Sequence, residues 1–118
     1  MRRFQARPRN EAGKMNKLEA RYTTSVLEPQ RLCGEIQKWA FEAIKLRLAD
    51  STFYSPDFWV VTAEGQGEFH EVKGFWESDA RVKIKVAAEM FPEFRFVGVT
   101  WDKRNGWITE EFGFGFMK

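Results

Sequence analysis

The chain has 118 residues, 43% of them apolar and 16% aromatic, so it can build the core of one domain and is not expected to be disordered. Its net charge of +2 does not indicate a particular partner. One cysteine and one histidine exclude an internal disulfide and a structural zinc site within one chain. The lone thiol, together with the lack of a membrane-length apolar run or a secretory signal, leads us to expect a cytoplasmic protein without membrane contact.

The N-terminal segment is polar and strongly basic. Residues 1–17 contain one acid, Glu11, and show no hydrophobic periodicity. The same stretch carries six basic residues, Arg2, Arg3, Arg7, Arg9, Lys14 and Lys17. This composition predicts a flexible basic arm over residues 1–15 that reaches a phosphate backbone, although a merely solvated tail has the same composition. The remainder, residues 16–118, is predicted to be a single folded domain.

The first predicted element is a helix from Asn16 to about Glu28. Its apolar face is formed by residues spaced four apart, Leu18, Tyr22 and Val26. Asn16 is a suitable N-cap for it. Pro29 is expected to end or kink this helix, or to open a short second turn through Leu32, and Gly34 is expected to stop it.

Strand-like patterns follow this helix. The sequence over Glu35–Leu48 favours extended structure, with strict alternation of apolar and charged residues towards its end, in Ala43–Leu48. Asp50-Ser51 predicts a turn. Asp57–Thr62 and Glu68–Lys73 are then predicted to be two antiparallel strands, joined by a glycine-containing turn.

A helix over Asp79–Met90 is predicted next, capped by Ser78. Its wheel assigns a core-facing side to six apolar residues, Ala80, Val82, Ile84, Val86, Ala87 and Met90. A strand over Phe94–Trp101 follows, and Asn105-Gly106 predicts a hairpin turn to a last strand over residues 107–112. Because a strand, a helix and a strand in succession form a right-handed βαβ unit, the predicted fold class is α/β, with a mixed β-sheet flanked by helices.

Charged side chains are predicted to converge in the hairpin that the strands 57–62 and 68–73 form. A turn centred on Gly65 sets Asp57 opposite Lys73, and Glu71 shares their face as a diagonal neighbour of Asp57. Two adjacent carboxylates repel each other, and a divalent cation such as Mg²⁺ or Mn²⁺ reverses that cost. The alternative is an ordinary salt bridge on the protein surface.

Two short motifs and one helix resemble a known nuclease superfamily. Ser55-Pro56-Asp57 and Glu71-Val72-Lys73-Gly74 resemble the signature of PD-(D/E)XK nucleases, and Asn16–Tyr22 resembles their acid-bearing first helix. The order of this helix, the PD strand, the EVKG strand and a basic helix is similar to that of small phage-encoded endonucleases related to Holliday junction resolvases. The likeness covers about residues 16–100.

This resemblance implies a restriction-endonuclease-like α-β-β-β-α-β core and a Mg²⁺-dependent DNA endonuclease, in which Mn²⁺ can substitute. It implies that Asp57 and Glu71 hold the metal and that Lys73 is the catalytic lysine. It also implies that Glu19 is a further catalytic and metal-binding acid, although an exposed helix glutamate is the alternative. His70 alternates away from Glu71 and Lys73, so we expect it to be structural.

The resemblance further implies branched or junction DNA as substrate, in a phage-infected bacterial cell, with a homodimer cutting both sides of a junction. The alternatives are an enzyme that nicks or cuts plain duplex, and a non-catalytic DNA-binding module on the same fold. DNA contacts are expected from the basic arm and from residues near the site, Trp76, Arg81, Lys83 and Lys85. For these four, packing in the core or on a solvated helix face explains the sequence equally well.

Overall fold

The structure, a computed structural model, describes residues 13–113. The predicted arm residues Arg2, Arg3, Arg7 and Arg9 and the C-terminal residues 114–118 lie outside this range. Residues 13–113 fold as three α-helices, one π-helical turn and seven strands. In chain order these are α1 (Lys17–Tyr22), the π-helical turn (Thr23–Leu27), α2 (Glu28–Cys33), β1 (Ile36–Phe41), β2 (Leu46–Ala49), β3 (Thr52–Tyr54), β4 (Phe58–Thr62), β5 (Gly67–Lys73), α3 (Ser78–Met90), β6 (Arg95–Asp102) and β7 (Gly106–Gly113).

A mixed five-stranded sheet in the order β1-β4-β5-β6-β7 forms the centre of the molecule. Strands β5 and β6, which α3 connects, pair in parallel, and the other neighbours pair antiparallel. The α/β class with a mixed sheet is therefore confirmed. β2 and β3 form a separate two-stranded sheet that packs beside α3. None of the helices within residues 13–113 combines the length and the apolar content needed to cross a membrane.

The first helical layer runs from Lys17 to Cys33. Asn16 caps α1 as expected, and Gly34 ends α2 in the left-handed conformation with φ of 87°. Of the two predicted outcomes at Pro29, an end or kink near Glu28 is wrong, and a second helical segment that Gly34 stops is confirmed, because the chain stays helical through Cys33. The π-helical turn before Pro29 redistributes the backbone hydrogen bonds, and Pro29 falls in the first turn of α2, where its missing N–H is tolerated.

The extended region before the hairpin is split into separate strands. One strand, β1, joins the large sheet, and the predicted strand Ala43–Leu48 is corrected to β2, which pairs with β3 instead. Glu42 separates them with a positive φ of 50°, which turns the chain out of the sheet. The predicted turn at Asp50-Ser51 joins β2 to β3.

The β4–β5 hairpin has a register that differs by two residues from the prediction. Phe58 faces His70, so Asp57 comes level with Glu71 and not with Lys73. The reason is the turn, in which Thr62 and Gln66 close a three-residue loop whose last residue, Gly65, has φ of 91°. A shift of two residues preserves the face of each side chain, so Asp57, Glu71 and Lys73 still share one side of the sheet.

The orientation of α3 also differs from the prediction. Its buried residues are Ile84, Ala87 and Ala88, whereas Val82 is 57% exposed and Val86 and Met90 are also exposed. The small alanines let the end of β7 approach, because a Cβ on Gly113 would lie 3.1 Å from the Cβ of Ala88. The helix starts at Ser78 without a side-chain cap, so the predicted Ser78 cap is wrong as well.

Two apolar clusters fill the space on either side of the sheet. Tyr22 and Leu27 of the first helical layer pack on one face, against residues such as Phe58, Val72 and Val99. On the other face α3 and the β2–β3 hairpin pack against aromatic residues of β5 and β6. The end of the β4–β5 hairpin that carries Asp57 is held between these two layers.

Candidate active site

Asp57 and Glu71 meet at the open end of the β4–β5 hairpin. The backbone N–H of Asp57 donates to Glu71 Oε1 at 3.1 Å, and Asp57 Oδ2 accepts the backbone N–H of Val72 at 2.8 Å. Each carboxylate is therefore tied to the strand of the other. Asp57 and Glu71 are only 7% and 6% exposed, so the alternative of a surface salt bridge does not describe them.

Lys73 is the third predicted member of this site. Its Nζ lies 3.2 Å from Glu71 Oε2, and its side chain keeps 31% of its surface exposed. Alternation along β5 places Lys73 and Glu71 on one face, as the sequence predicted. The ammonium group therefore contacts a buried carboxylate and can also be reached from solvent.

The electrostatics of the two acids are unfavourable. Burial raises the pKa of Asp57 well above its usual range, and the negative charges of Glu71 and Glu19 raise it further. Burial also raises the pKa of Glu71, against the opposing charge of Lys73. One ammonium group thus does not compensate two buried carboxylates, and this end of the hairpin favours an additional positive charge.

Tyr54 is a site residue that sequence reasoning did not select. Its hydroxyl donates to Glu71 Oε1 at 2.8 Å, and burial together with the nearby acids raises its pKa. On sequence alone, Tyr54 could stack on or position DNA or be an ordinary strand aromatic, and the second interpretation is favoured because nothing local distinguishes it from one. Its position close before the Ser55-Pro56-Asp57 motif is the only signal in the sequence that could have identified it.

Glu19 is buried at 4% exposure, so it is not the exposed helix glutamate that was the alternative. It forms a capping box with Asn16, in which Glu19 Oε1 accepts the Asn16 backbone N–H at 2.8 Å and its own N–H donates to Asn16 Oδ1. Its charge also raises the pKa of Asp57. Glu19 is therefore held beside the acid pair from the opposite layer.

Within residues 13–113 no three His, Cys, Asp or Glu side chains converge as a complete set of metal ligands. Asp57 and Glu71 supply two carboxylates, and the capping box already uses one oxygen of Glu19. Oxygen donors of this kind suit hard cations such as Mg²⁺ and Mn²⁺.

His70 lies on the opposite face of β5, as predicted. Its Nδ1 shares a hydrogen bond of 2.7 Å with the Tyr22 hydroxyl, and its Nε2 lies 2.9 Å from Glu68 Oε1. Arg95 Nη1 donates to the other oxygen of Glu68 at 3.0 Å and also pairs with Glu111. Burial opposes ionisation, yet the contacts with His70 and Arg95 lower the pKa of Glu68 overall.

The predicted DNA-contacting residues near the site differ in how many contacts their side chains make within the protein. Arg81 forms a bidentate pair with Glu110, at 2.7 and 3.1 Å, and Lys83 donates to the backbone oxygen of Phe53. Trp76 packs on Gly98, where a Cβ would come within 2.5 Å of its ring. The remaining two, Lys17 and Lys85, are exposed.

No protein-family model, curated protein or solved structure matches this chain.

Proposed function

We propose that this chain is a metal-dependent endonuclease that hydrolyses DNA phosphodiester bonds on a restriction-endonuclease-like fold. The observation that carries the proposal is the buried pair of Asp57 and Glu71, whose pKa values are both raised and which lies beside Lys73. Uncompensated buried acids destabilise a fold, and they are commonly retained where they hold a cation or carry out chemistry.

The donor set fits a divalent cation of the Mg²⁺ or Mn²⁺ type. Asp57 and Glu71 would hold it, and Glu19 would add negative charge from α1. When bound, such a cation polarises a phosphate and lowers the pKa of nearby water. The conflict between the two acids, which burial and mutual repulsion create, would be relieved by its charge.

The residues of the chain itself have separable roles in this proposal. Glu71 is held in place by the Tyr54 hydroxyl and the Asp57 backbone, so it would hold the cation without reorganising. Lys73 Nζ would donate a hydrogen bond to the attacking water or to the phosphate oxygens as negative charge develops there. Its partial exposure leaves it accessible to a substrate that arrives from solvent.

The test is cleavage of a labelled four-way junction and a matched duplex in MgCl₂ or MnCl₂. Asp57→Asn should abolish cutting, and Lys73→Ala should slow it by roughly 10²–10³-fold, as expected when one transition-state donor is lost. Asp50→Asn and Lys38→Ala are matched controls, since both residues are exposed and, within residues 13–113, the carboxylate of Asp50 has only a long contact to Arg47, of 3.8 Å. Both controls should cut like the wild type.

The outcomes separate the classes of function. Preference for the junction would favour a resolvase, which would require two copies of the chain to cut both strands, and preference for duplex would favour a nicking or duplex-cleaving enzyme. DNA binding without any metal-dependent cutting would contradict the endonuclease and favour a non-catalytic binding module.

A further inference from the structure

Two exposed aromatic residues stand at the edge of the sheet where the candidate active site lies. Thr100 of β6 pairs with Lys73 of β5, and Trp101 is the next residue along β6. Phe75 follows β5 after only one intervening residue, Gly74. Trp101 is 38% exposed and Phe75 is 74% exposed. Since parallel strands end at the same edge, both residues lie at the end of the sheet that carries the acid pair, with Trp101 on the face of the first helical layer.

Trp101 is held by two neighbours. The guanidinium carbon of Arg21, on α1, lies 4.8 Å from the centroid of the Trp101 ring, and Trp107 contacts Trp101 edge-on at 5.0 Å between centroids. Arg21 and Trp101, here called the Arg21–Trp101 shelf, therefore form one surface of a guanidinium and an indole. Arg21 is itself exposed and projects from the helix that also carries Glu19.

Three further basic residues are neighbours of this shelf along the chain. The turn from β6 to β7 carries Lys103 and Arg104, both exposed, and Lys17 lies one helical turn before Arg21. Within residues 13–113 no carboxylate forms an ion pair with any of these four cations. In contrast, Arg81 of α3 and Arg95 at the start of β6 are paired with glutamates.

We propose that the Arg21–Trp101 shelf binds the unpaired bases of a nucleic acid, so that the substrate is a strand with single-stranded or unstacked nucleotides beside the scissile bond. This inference rests on the proposed nuclease function for its biological meaning. Indole and guanidinium planes both stack on bases, and stacking accepts any base because every base has a π-face. Lys17, Lys103 and Arg104 would contact the phosphates of the same strand.

The shelf also connects α1 to β6, so its contact contributes to the fold. A structural connection alone does not require an exposed indole at this position, because an aliphatic side chain would pack against Trp107 equally well. The exposure of the indole therefore favours stacking on a nucleic-acid base over a role in packing alone. The test must measure dependence on the bases of the ligand and not only overall affinity.

The experiment compares two fluorescently labelled strands of equal length, one normal and one in which abasic sites replace the central bases. Both carry the same number of phosphates, and binding is measured by anisotropy in EDTA, so that cleavage does not interfere. The wild type should bind the normal strand about tenfold more tightly than the abasic strand. Trp101→Ala should remove this difference, and Trp101→Phe should keep most of it because it retains a ring.

Leu32→Ala is the matched control, because Leu32 is an exposed apolar residue, 74% exposed, at the end of α2. It should bind both strands like the wild type. Equal affinity of the wild type for the two strands would overturn the proposal without the use of any variant. An unchanged preference in folded Trp101→Ala would overturn it as well.

The experiments can reject the base-binding shelf and the nuclease function independently of each other. Base-dependent binding by the wild type without Mg²⁺-dependent cleavage would retain the shelf and reject the enzyme. Cleavage that Asp57→Asn abolishes, together with equal binding of normal and abasic strands, would retain the enzyme and reject the shelf.

Discussion

Strand β5 carries a buried glutamate cluster on each of its faces, and the two clusters differ in how they are compensated. Glu68, on the face of the first helical layer, contacts His70 and Arg95, and its pKa is lowered overall. Glu71, on the α3 face, lies against a second acid, Asp57, and the pKa of both is raised by burial, that of Asp57 also by their repulsion. Two glutamates three positions apart on one strand therefore differ: Glu68 has favourable charged partners, and Glu71 lies against a second acid.

This difference separates structural from functional use of buried charge. A glutamate with a histidine and an arginine around it satisfies its hydrogen bonds inside the protein and contributes to the stability of the fold. A glutamate against an aspartate leaves an electrostatic cost that the protein alone does not remove. Acids in such an unfavourable arrangement are retained where they bind a cation or take part in a reaction. The Asp57–Glu71 pair, and not the Glu68 cluster, is therefore the candidate active site.

Among changes to the Glu68 cluster, His70→Ala is expected to have the largest effect on the free energy of unfolding. The change leaves Glu68 and the Tyr22 hydroxyl each without one partner and creates a cavity beneath α1. We expect a loss of roughly 2–4 kcal/mol in the free energy of unfolding, measured by urea denaturation. The folded fraction should still cleave DNA at the wild-type rate. A strong loss of cleavage at unchanged stability would contradict the division between the two clusters.

A smaller effect is expected from Tyr54→Phe, which removes the hydroxyl that donates to Glu71 Oε1. The glutamate would be less well oriented, so the Mg²⁺ concentration needed for half-maximal cleavage should rise by about tenfold. Stability should change little, because Glu71 keeps the Asp57 backbone N–H as a donor. Tyr22→Phe is the matched control on the other face, where the metal dependence should not change.

Much of this architecture was accessible from the sequence because it depends on local signals. Asn16, Gly34 and Asn105-Gly106 mark helix and turn positions through their own side-chain and backbone preferences, and the structure confirms them. Alternation along β5 was sufficient to place His70 and Glu71 on opposite faces. These predictions need no knowledge of distant contacts.

The features that were missed depend on tertiary contacts. The choice of a three-residue loop at Gly65 shifted the hairpin register by two, and pattern alone does not determine loop length. The orientation of α3 follows from its contact with Gly113 and from the β2–β3 hairpin, so its exposed row of Val82, Val86 and Met90 was predicted to be core. Tyr54 reaches Glu71 only because β3 leaves the large sheet.

The pH dependence of stability is expected to differ in sign between the two clusters. Because the pKa of Asp57 is raised, its contribution to stability is full below the usual carboxyl range and is lost as pH rises through its folded pKa. Because the pKa of Glu68 is lowered, its contribution is present above the usual glutamate range and is lost as pH falls through its folded pKa. The same amide substitution at the two positions should therefore act in opposite directions at neutral pH.

The most direct test is the free energy of unfolding of wild type, Asp57→Asn and Glu68→Gln at neutral pH, in EDTA and in MgCl₂. In EDTA, Asp57→Asn should be more stable than the wild type, since its amide oxygen can still accept the Val72 N–H, and Glu68→Gln should be less stable. Mg²⁺ should stabilise the wild type and Glu68→Gln but not Asp57→Asn. A less stable Asp57→Asn, together with a wild type indifferent to Mg²⁺, would contradict the account.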